Sequence, residues 1–348
     1  MMKNFCAFLL TLIGAASVLF GVTGCGSSGS DAEAVIDLRK VSDGKIPIHD
    51  LYDTIEVVAL EDAPGGLPLS DLSVTEDRFF LKGGDRLILS YRQDGSLADS
   101  LNPGKAIVDY SIYQDRILDI LFDREMRAYR LPDLSLSGRS SLDTVVTPTR
   151  LARRAENVMN LTGYKELKDY LCEYYFDTKK YYASPWSHDI KQSEQTRSYA
   201  QEARFFYVND DLVQLDPASG WLWLCREFCF GYLWLDFKRE EGDTLAVTYA
   251  QATDLNAYYA LSLNGEEHFL VYDRTAKKGR LFKTTREGLS LPLGELRDGI
   301  NYFCCPAADL PRYLTRDVLT PESASAMDAA MQAGGYALIK YHLKTAAR

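Results

Sequence analysis

The stretch RFFLKGGDRLILSY, residues 78–91, contains the local pattern that decides the fold. Two short apolar runs flank the turn residues KGGD at positions 82–85. Glycine adopts the positive φ angles of a tight turn at little steric cost, and Gly83 and Gly84 stand at this turn. The stretch therefore predicts an antiparallel β-hairpin.

Similar short apolar runs, separated by turn residues, occupy much of the rest of the chain at the spacing of antiparallel strands. The clearest are residues 54–60, 106–113, 116–122, 125–131, 204–208, 211–215, 221–237, 243–250, 258–263, 267–274 and 279–285. Repeated short meanders favour an all-β propeller or sandwich over an α/β fold, which needs amphipathic helices between its strands.

The middle of the chain differs from this pattern. Residues 153–186 are dense in tyrosine, and residues 164–176 are compatible with a helix. We therefore expect a small irregular or helical insertion over residues 153–200. Near the C-terminus, Thr320 followed by Pro321 and Glu322 predicts the start of a short helix, which the two glycines at 334–335 end.

The N-terminus has the features of an export signal. Lys3 precedes an uncharged run at 5–20, which is short for a membrane-spanning helix. Residues 22–25, VTGC, resemble the bacterial lipobox; the alternative is an ordinary signal peptide with a chance cysteine. We predict a signal peptide over residues 1–24, acylation of Cys25, and a flexible tether over residues 25–34. Acyl chains on Cys25 would hold the protein in the cell envelope, on the periplasmic or surface face of the outer membrane.

Charge and cysteine content exclude some partners. The formal net charge of −10 at pH 7 argues against a nucleic-acid partner. Beyond the predicted anchor, the cysteines are Cys172, Cys225, Cys229, Cys304 and Cys305, an odd number with spacings that do not match common zinc sites. We expect buried small apolar residues, with a disulfide as the next alternative and a metal site last. No cofactor is expected.

Several segments resemble the six-bladed β-propeller lipoproteins of Bacteroidetes. They are IPIHDLYDTIEVVALED at 46–62, YRQDGSL at 91–97, FLVYDRTAKKGRLF at 269–282 and GGYALIKYHLK at 334–344. Residues from about 150 to 242 depart from the family's pattern. The resemblance implies a single propeller over residues 35–348, with six blades. In such a ring we expect the last strand, residues 336–343, to pair with an N-terminal strand, because an unpaired edge would promote aggregation. Its alternation predicts a half-buried strand.

The sequence contains no nucleophile elbow, phosphate loop or histidine pair, so we assign no catalytic residue. A tyrosine-rich surface is the candidate ligand or partner site, formed by Tyr174, Tyr175, Tyr181, Tyr182 and Trp186. The tryptophans at 221, 223 and 234 are instead expected to pack in the core.

These features predict a non-catalytic binding or interaction module for a glycan, a peptide or a protein. The alternative is an envelope hydrolase or lyase that uses the central pocket. A pocket lined by aromatic and neutral groups would favour binding, whereas two converging carboxylates or a histidine cluster would favour the enzyme.

Overall fold

The computed structural model describes residues 33–40, 45–142, 146–166, 168–185, 203–208, 211–217, 219–225, 229–292 and 294–344. The predicted signal peptide, Cys25 and Trp186 lie outside the described residues. Within the described part of the chain, no helix has the length and apolar character needed to cross a membrane.

The described part of the chain begins with β1 (Ala34–Asp37) and β2 (Tyr52–Ala59) and then forms a series of four-stranded antiparallel sheets, the blades. Blade 1 contains β3 (Leu69–Val74), β4 (Arg78–Gly83), β5 (Leu87–Arg92) and β6 (Leu97–Leu101), and blade 2 contains β7 (Asp109–Tyr113), β8 (Ile117–Leu121), β9 (Glu125–Arg130) and β10 (Ser135–Ser141). Blade 3 contains β11 (Thr147–Ala155), β12 (Val158–Lys165), β13 (Lys168–Tyr175) and β14 (Lys180–Pro185).

Blade 4 contains β15 (Arg204–Val208), β16 (Asp211–Leu215), β17 (Leu222–Cys225) and β18 (Cys229–Leu233), and β19 (Leu235–Lys238) follows it. Blade 5 contains β20 (Leu245–Ala252), β21 (Asn256–Leu263), β22 (Glu266–Asp273) and β23 (Lys278–Phe282). Blade 6 contains β24 (Glu295–Arg297), β25 (Ile300–Pro306) and, after the helices α1 (Leu310–Tyr313) and α2 (Pro321–Ala333), β26 (Tyr336–Leu343). The six sheets form a ring, as predicted, with the first strand of each blade nearest the axis.

The ring is closed by the predicted C-terminal strand. In blade 6, β26 pairs on one side with β25 and on the other with the N-terminal strand β2, with Val57 opposite Ile339. The strand is buried on both faces over Ala337, Leu338 and Ile339, rather than half-buried as its alternation predicts. Leu338 packs in a cluster with blade 1, and Ile339 packs in a cluster with blade 5. A blade lies between two neighbouring blades, so neither of its faces is left for solvent.

The same geometry explains the hairpin at 78–91. Strands β4 and β5 pair in antiparallel register, as predicted, with Gly84 in the turn at φ +59°. Consecutive residues of β5 are buried on opposite faces: Ile88 packs in the cluster with blade 2, and Leu89 packs in the cluster with blades 1 and 6.

The helix predicted over residues 164–176 is wrong. Strands β12 and β13 occupy this region and pair in antiparallel register, with Leu161 opposite Cys172. Tyrosine fits well on a pleated surface between neighbouring blades, and that packing outweighs the weak helical pattern. The insertion predicted over 153–200 is therefore blade 3 as far as Pro185, and residues 186–202 lie outside the described residues.

The predicted C-terminal helix is confirmed as α2. The Thr320 side chain accepts a hydrogen bond from the Ser323 backbone N–H at 3.2 Å, and Gly334, at φ +78°, follows the last turn. At the other end of the chain, β1 pairs in parallel with β19, so the predicted tether ends where Ala34 joins a sheet.

Candidate functional site

A cavity of about 1200 Å³ lies on the axis of the ring. Its wall includes residues from β3, β7, β11, β15, β20 and β24, which are the innermost strands of the six blades. The cavity is thus a direct consequence of ring formation, since each blade contributes the strand that is nearest the axis. Its volume is slightly above the range of roughly 300–1,000 Å³ typical of small-molecule sites.

Two carboxylates in the wall are held by cations. Asp109, on β7, lies 3.3 Å from the Arg150 guanidinium and accepts a hydrogen bond of 2.9 Å from the Leu151 backbone N–H. Burial raises the pKa of Asp109, and the charge of Arg150 opposes that shift. Asp71, on β3, lies 3.3 Å from the Lys82 ammonium group.

An ion pair at the ends of the innermost strands links three blades. Arg297, after Glu295 in blade 6, makes two hydrogen bonds of 2.7 and 2.6 Å to Asp115 in the β7–β8 turn. It also donates a hydrogen bond of 2.8 Å to the Val74 carbonyl of blade 1. The hydrogen bond to Asp115 raises the pKa of Arg297. This bidentate contact holds the rim of the cavity.

Glu295 lies in the wall with a carboxyl group that titrates near neutrality. Burial raises its pKa to about 7, a shift opposed by a hydrogen bond from the Val74 backbone N–H and by the charge of Arg297. A small change in pH around neutrality therefore alters the charge of the cavity.

Arg204, the first residue of β15, also lies in the wall, with its side chain exposed to the cavity. Burial within the protein lowers its pKa, and the charge of Arg150 lowers it further, whereas Asp109 and Asp71 act in the opposite direction. The cavity therefore contains two neighbouring guanidinium groups.

Aromatic side chains form much of the remaining wall. Tyr110 is hydrogen-bonded to the Phe80 and Asp71 carbonyls, the former at 2.9 Å, and Tyr249 donates to the Gly294 carbonyl. Burial raises the pKa of both tyrosines well above the usual value. Because their hydroxyl protons are used by backbone carbonyls, these rings serve as fixed surfaces rather than as proton donors to a ligand.

The cavity thus combines features of both functional alternatives. The aromatic rings favour binding, and the residues that line the cavity include no histidine. The wall is charged rather than neutral, however, and its carboxylates converge: the charge of Asp71 acts on Asp109, and the charge of Asp115 acts on Glu295, which favours the enzyme. Glu295 is the carboxyl group whose pKa fits acid–base chemistry. In the described part of the chain, no three His, Cys, Asp or Glu side chains are arranged to hold a metal ion.

The predicted tyrosine surface lies elsewhere, on the two outer strands of blade 3. Tyr174 is 5% exposed and belongs to the blade core, and Tyr181 is half-buried against that core. Tyr175 donates a hydrogen bond of 3.0 Å to Glu173, and its ring meets Tyr182, which is 53% exposed, edge-on at 5.7 Å. None of these four tyrosines lines the axial cavity. As a ligand surface, this hairpin stays a prediction.

Other sequence predictions can be placed as well. Cys172, Cys225 and Cys305 are buried and Cys304 is half-buried, which confirms the predicted burial for three of them, and the side chain of Cys229 lies outside the described residues. The three tryptophans contact one another rather than filling the core: they are half-buried, and Trp221 stacks on Trp234 with ring centroids 5.0 Å apart.

No pattern in the sequence pointed to the cavity residues Arg204 and Glu295. Each is a single charged residue at the start of a short strand, without a motif. Their shared location becomes apparent only when the order of the blades and the inner strand of each blade are known.

Comparison with one solved structure agrees with the fold. A Bacteroides fragilis protein described as exported superposes with a TM-score of 0.69 at 8% identity, over 90% of this chain and 100% of that one. The extracellular domain of a B. thetaiotaomicron protein that is described as a one-component system gives a TM-score of 0.40 at 12% identity, over 66% of this chain and 29% of that one. A Bacteroides caccae protein gives a TM-score of 0.38 at 8% identity, over 65% of this chain and 82% of that one.

At these identities the likeness extends to the fold alone. The first superposition includes the whole of the Bacteroides fragilis chain and agrees with the six-bladed ring. No family model matches the sequence, and no curated protein is significantly similar to it.

Proposed function

We propose that this protein is a lipid-anchored envelope protein whose propeller binds a ligand in the axial cavity. The observation that carries the proposal is the cavity itself, about 1200 Å³ in volume and lined by all six blades. Its fixed aromatic walls provide apolar contact, and its charged groups provide orientation, which is the combination that ligand sites use. The ligand is a glycan, a peptide or part of a protein partner.

Binding fits the cavity better than catalysis because the charged groups are already engaged. Asp109 and Arg150 form one ion pair, and Asp115 and Arg297 form another. Each of these carboxylates already has a guanidinium counter-ion, which limits its capacity to engage a reacting group. The wall is therefore built for recognition.

An envelope hydrolase or lyase is the second candidate, and Glu295 is the observation that favours it. A carboxyl group with a pKa of about 7 can donate and accept protons at neutral pH. If the protein converts its ligand chemically, and if Glu295→Gln stops this conversion without weakening ligand binding, then the protein is an enzyme rather than a binding module.

The anchor is supported by the order of charge, apolar run, lipobox and Gly/Ser tether before β1. Replacement of Cys25 by Ala should leave an unlipidated precursor, because the acylated thiol is lost. Metabolic labelling with a radioactive fatty acid measures this. Label retained by the Cys25→Ala variant would contradict the assignment.

Ligand binding is tested by blocking the cavity. Ser70 lies on β3 in the cavity wall, whereas Ser100 lies on β6, at the outer edge of the same blade. We expect Ser70→Trp to weaken binding of any glycan or peptide that wild-type protein selects from an array, because the indole takes up part of the cavity. Ser100→Trp is the matched control and should bind as wild type.

A ligand that binds Ser70→Trp and wild type equally well would place the site outside the cavity. In that case Tyr182→Ala tests the tyrosine hairpin of blade 3, since Tyr182 is the exposed side chain there. Loss of binding in that variant would support the surface predicted from the sequence.

A further inference from the structure

The charges of the cavity wall are unevenly compensated. Asp109 has Arg150 at 3.3 Å, Asp71 has Lys82 at 3.3 Å, and Asp115 has Arg297 at 2.6 Å. These three carboxylates therefore have counter-ions from the protein itself, and at each of them a cationic ligand group would have to compete with a side chain already in place.

Arg204 differs from these groups. Among the described residues, none forms a hydrogen bond or an ion pair with its guanidinium, although its side chain is directed to the cavity that it helps to line. Its charge is close enough to Arg150 for the two cations to repel each other. A guanidinium has five N–H donors, and that of Arg204 lines the axial cavity without an ion pair to a described residue.

Other donors in the wall do not offer the same chemistry. The hydroxyl groups of Tyr110 and Tyr249 are bonded to backbone carbonyls. Arg116 also lines the cavity and has no side-chain partner among the described residues, but it lies on the β7–β8 turn, beyond the end of an innermost strand, whereas Arg204 lies within the wall itself. Arg204 is thus the cation placed within the cavity that is open to a new partner.

We infer that Arg204 binds an anionic oxygen group, a carboxylate or a phosphate, on the ligand that occupies the axial cavity. This inference rests on the proposed function and narrows it to acidic ligands. Asp109 and Asp71 favour the charged form of Arg204, but neither forms an ion pair with it. A bidentate oxyanion would be the direct partner of this guanidinium and would orient the ligand. The neighbouring charge of Arg150 adds to the attraction.

The test uses simple anions, so it does not depend on knowing the ligand. The full-length lipoprotein in non-ionic detergent is titrated calorimetrically with malonate and, separately, with inorganic phosphate, at constant ionic strength set with NaCl. We expect saturable binding by wild type and a loss of about tenfold or more in affinity for Arg204→Gln, as expected when a charged hydrogen bond is removed. Preference for malonate indicates a carboxylate-bearing ligand, and preference for phosphate indicates a phosphate-bearing one.

Arg280→Gln is the matched control, because Arg280 is an exposed arginine on β23, the outer strand of blade 5, far along the sheet from the axis. It should bind malonate as wild type does. Equal losses of affinity in Arg204→Gln and Arg280→Gln would show that only the net charge of the protein matters, and would overturn the inference. The absence of saturable binding by wild type would also overturn it.

A second measurement covers the case in which Arg204→Gln fails to fold. Phenylglyoxal modifies accessible guanidinium groups, and mass spectrometry locates the modified residues. In wild-type protein, malonate or phosphate should slow modification of Arg204 and leave that of Arg280 unchanged; no protection would overturn the inference. If Ser70→Trp loses a selected ligand while Arg204→Gln retains it, cavity binding stands and the anionic preference falls.

Discussion

Closure of the ring by β26 makes blade 6 the most informative place to perturb the fold. Leu338 and Ile339 are both fully buried and point to opposite faces of that strand. Leu338 packs in the cluster with Phe79 and Tyr91 of blade 1, whereas Ile339 packs in the cluster with blade 5. Replacing either by Ala removes contacts between blade 6 and one neighbour.

The expected cost follows from complete burial. A Leu→Ala or Ile→Ala change at a fully buried site costs about 2–5 kcal/mol, because apolar surface is lost and a cavity is left. With an unfolding entropy of about 2 cal/mol/K per residue, a propeller of this length loses about 1.5 °C in Tm per kcal/mol. Leu338→Ala and Ile339→Ala should therefore each lower Tm by about 3–8 °C.

Thermal unfolding followed by circular dichroism, with guanidinium denaturation for the free energy, measures both variants. Leu136→Ala is the control, since Leu136 is 53% exposed on β10, the outer strand of blade 2, and should cost less than about 0.5 kcal/mol. A chain truncated after Gly334 loses β26 altogether and should not fold. Unchanged melting of either buried variant, or of the truncated chain, would refute closure through β26.

Two further predictions concern buried charge. Burial raises the pKa of Glu295 to about 7, above the ordinary 4.5, so between these pH values the folded state holds a proton that the unfolded state has lost. The free energy of unfolding should therefore fall by up to about 3 kcal/mol from pH 4.5 to 7 and then level off, a slope that denaturation of Glu295→Gln should lack. Asp119→Ala should cost about 3–5 kcal/mol in chemical denaturation, because it leaves Arg153, 2.6 Å away and buried, without its counter-ion. Asp99→Ala, which breaks an exposed pair, should cost less than about 1 kcal/mol, and equal costs would contradict this reasoning.

Local signals in the sequence were sufficient where neighbouring residues decide the structure. The glycine turn at 83–84 predicted the β4–β5 hairpin, and Thr320 with Pro321 predicted the start of α2. These features depend on backbone conformation and capping within a few residues, so they appear in the sequence directly. The helix predicted over 164–176 was wrong because the tyrosines there are selected by packing between blades, which local propensity does not contain.

The sequence by itself determined that the chain consists of antiparallel strands, and its resemblance to propeller lipoproteins indicated the number of blades and the closing strand. Only the tertiary structure decided which residues meet at the axis. The innermost strands of three successive blades contain Asp109, Arg150 and Arg204. These residues line one cavity because the ring brings their strands together. No sequence motif relates residues that are so far apart in the chain, because their proximity results from closure of the ring and not from a local pattern.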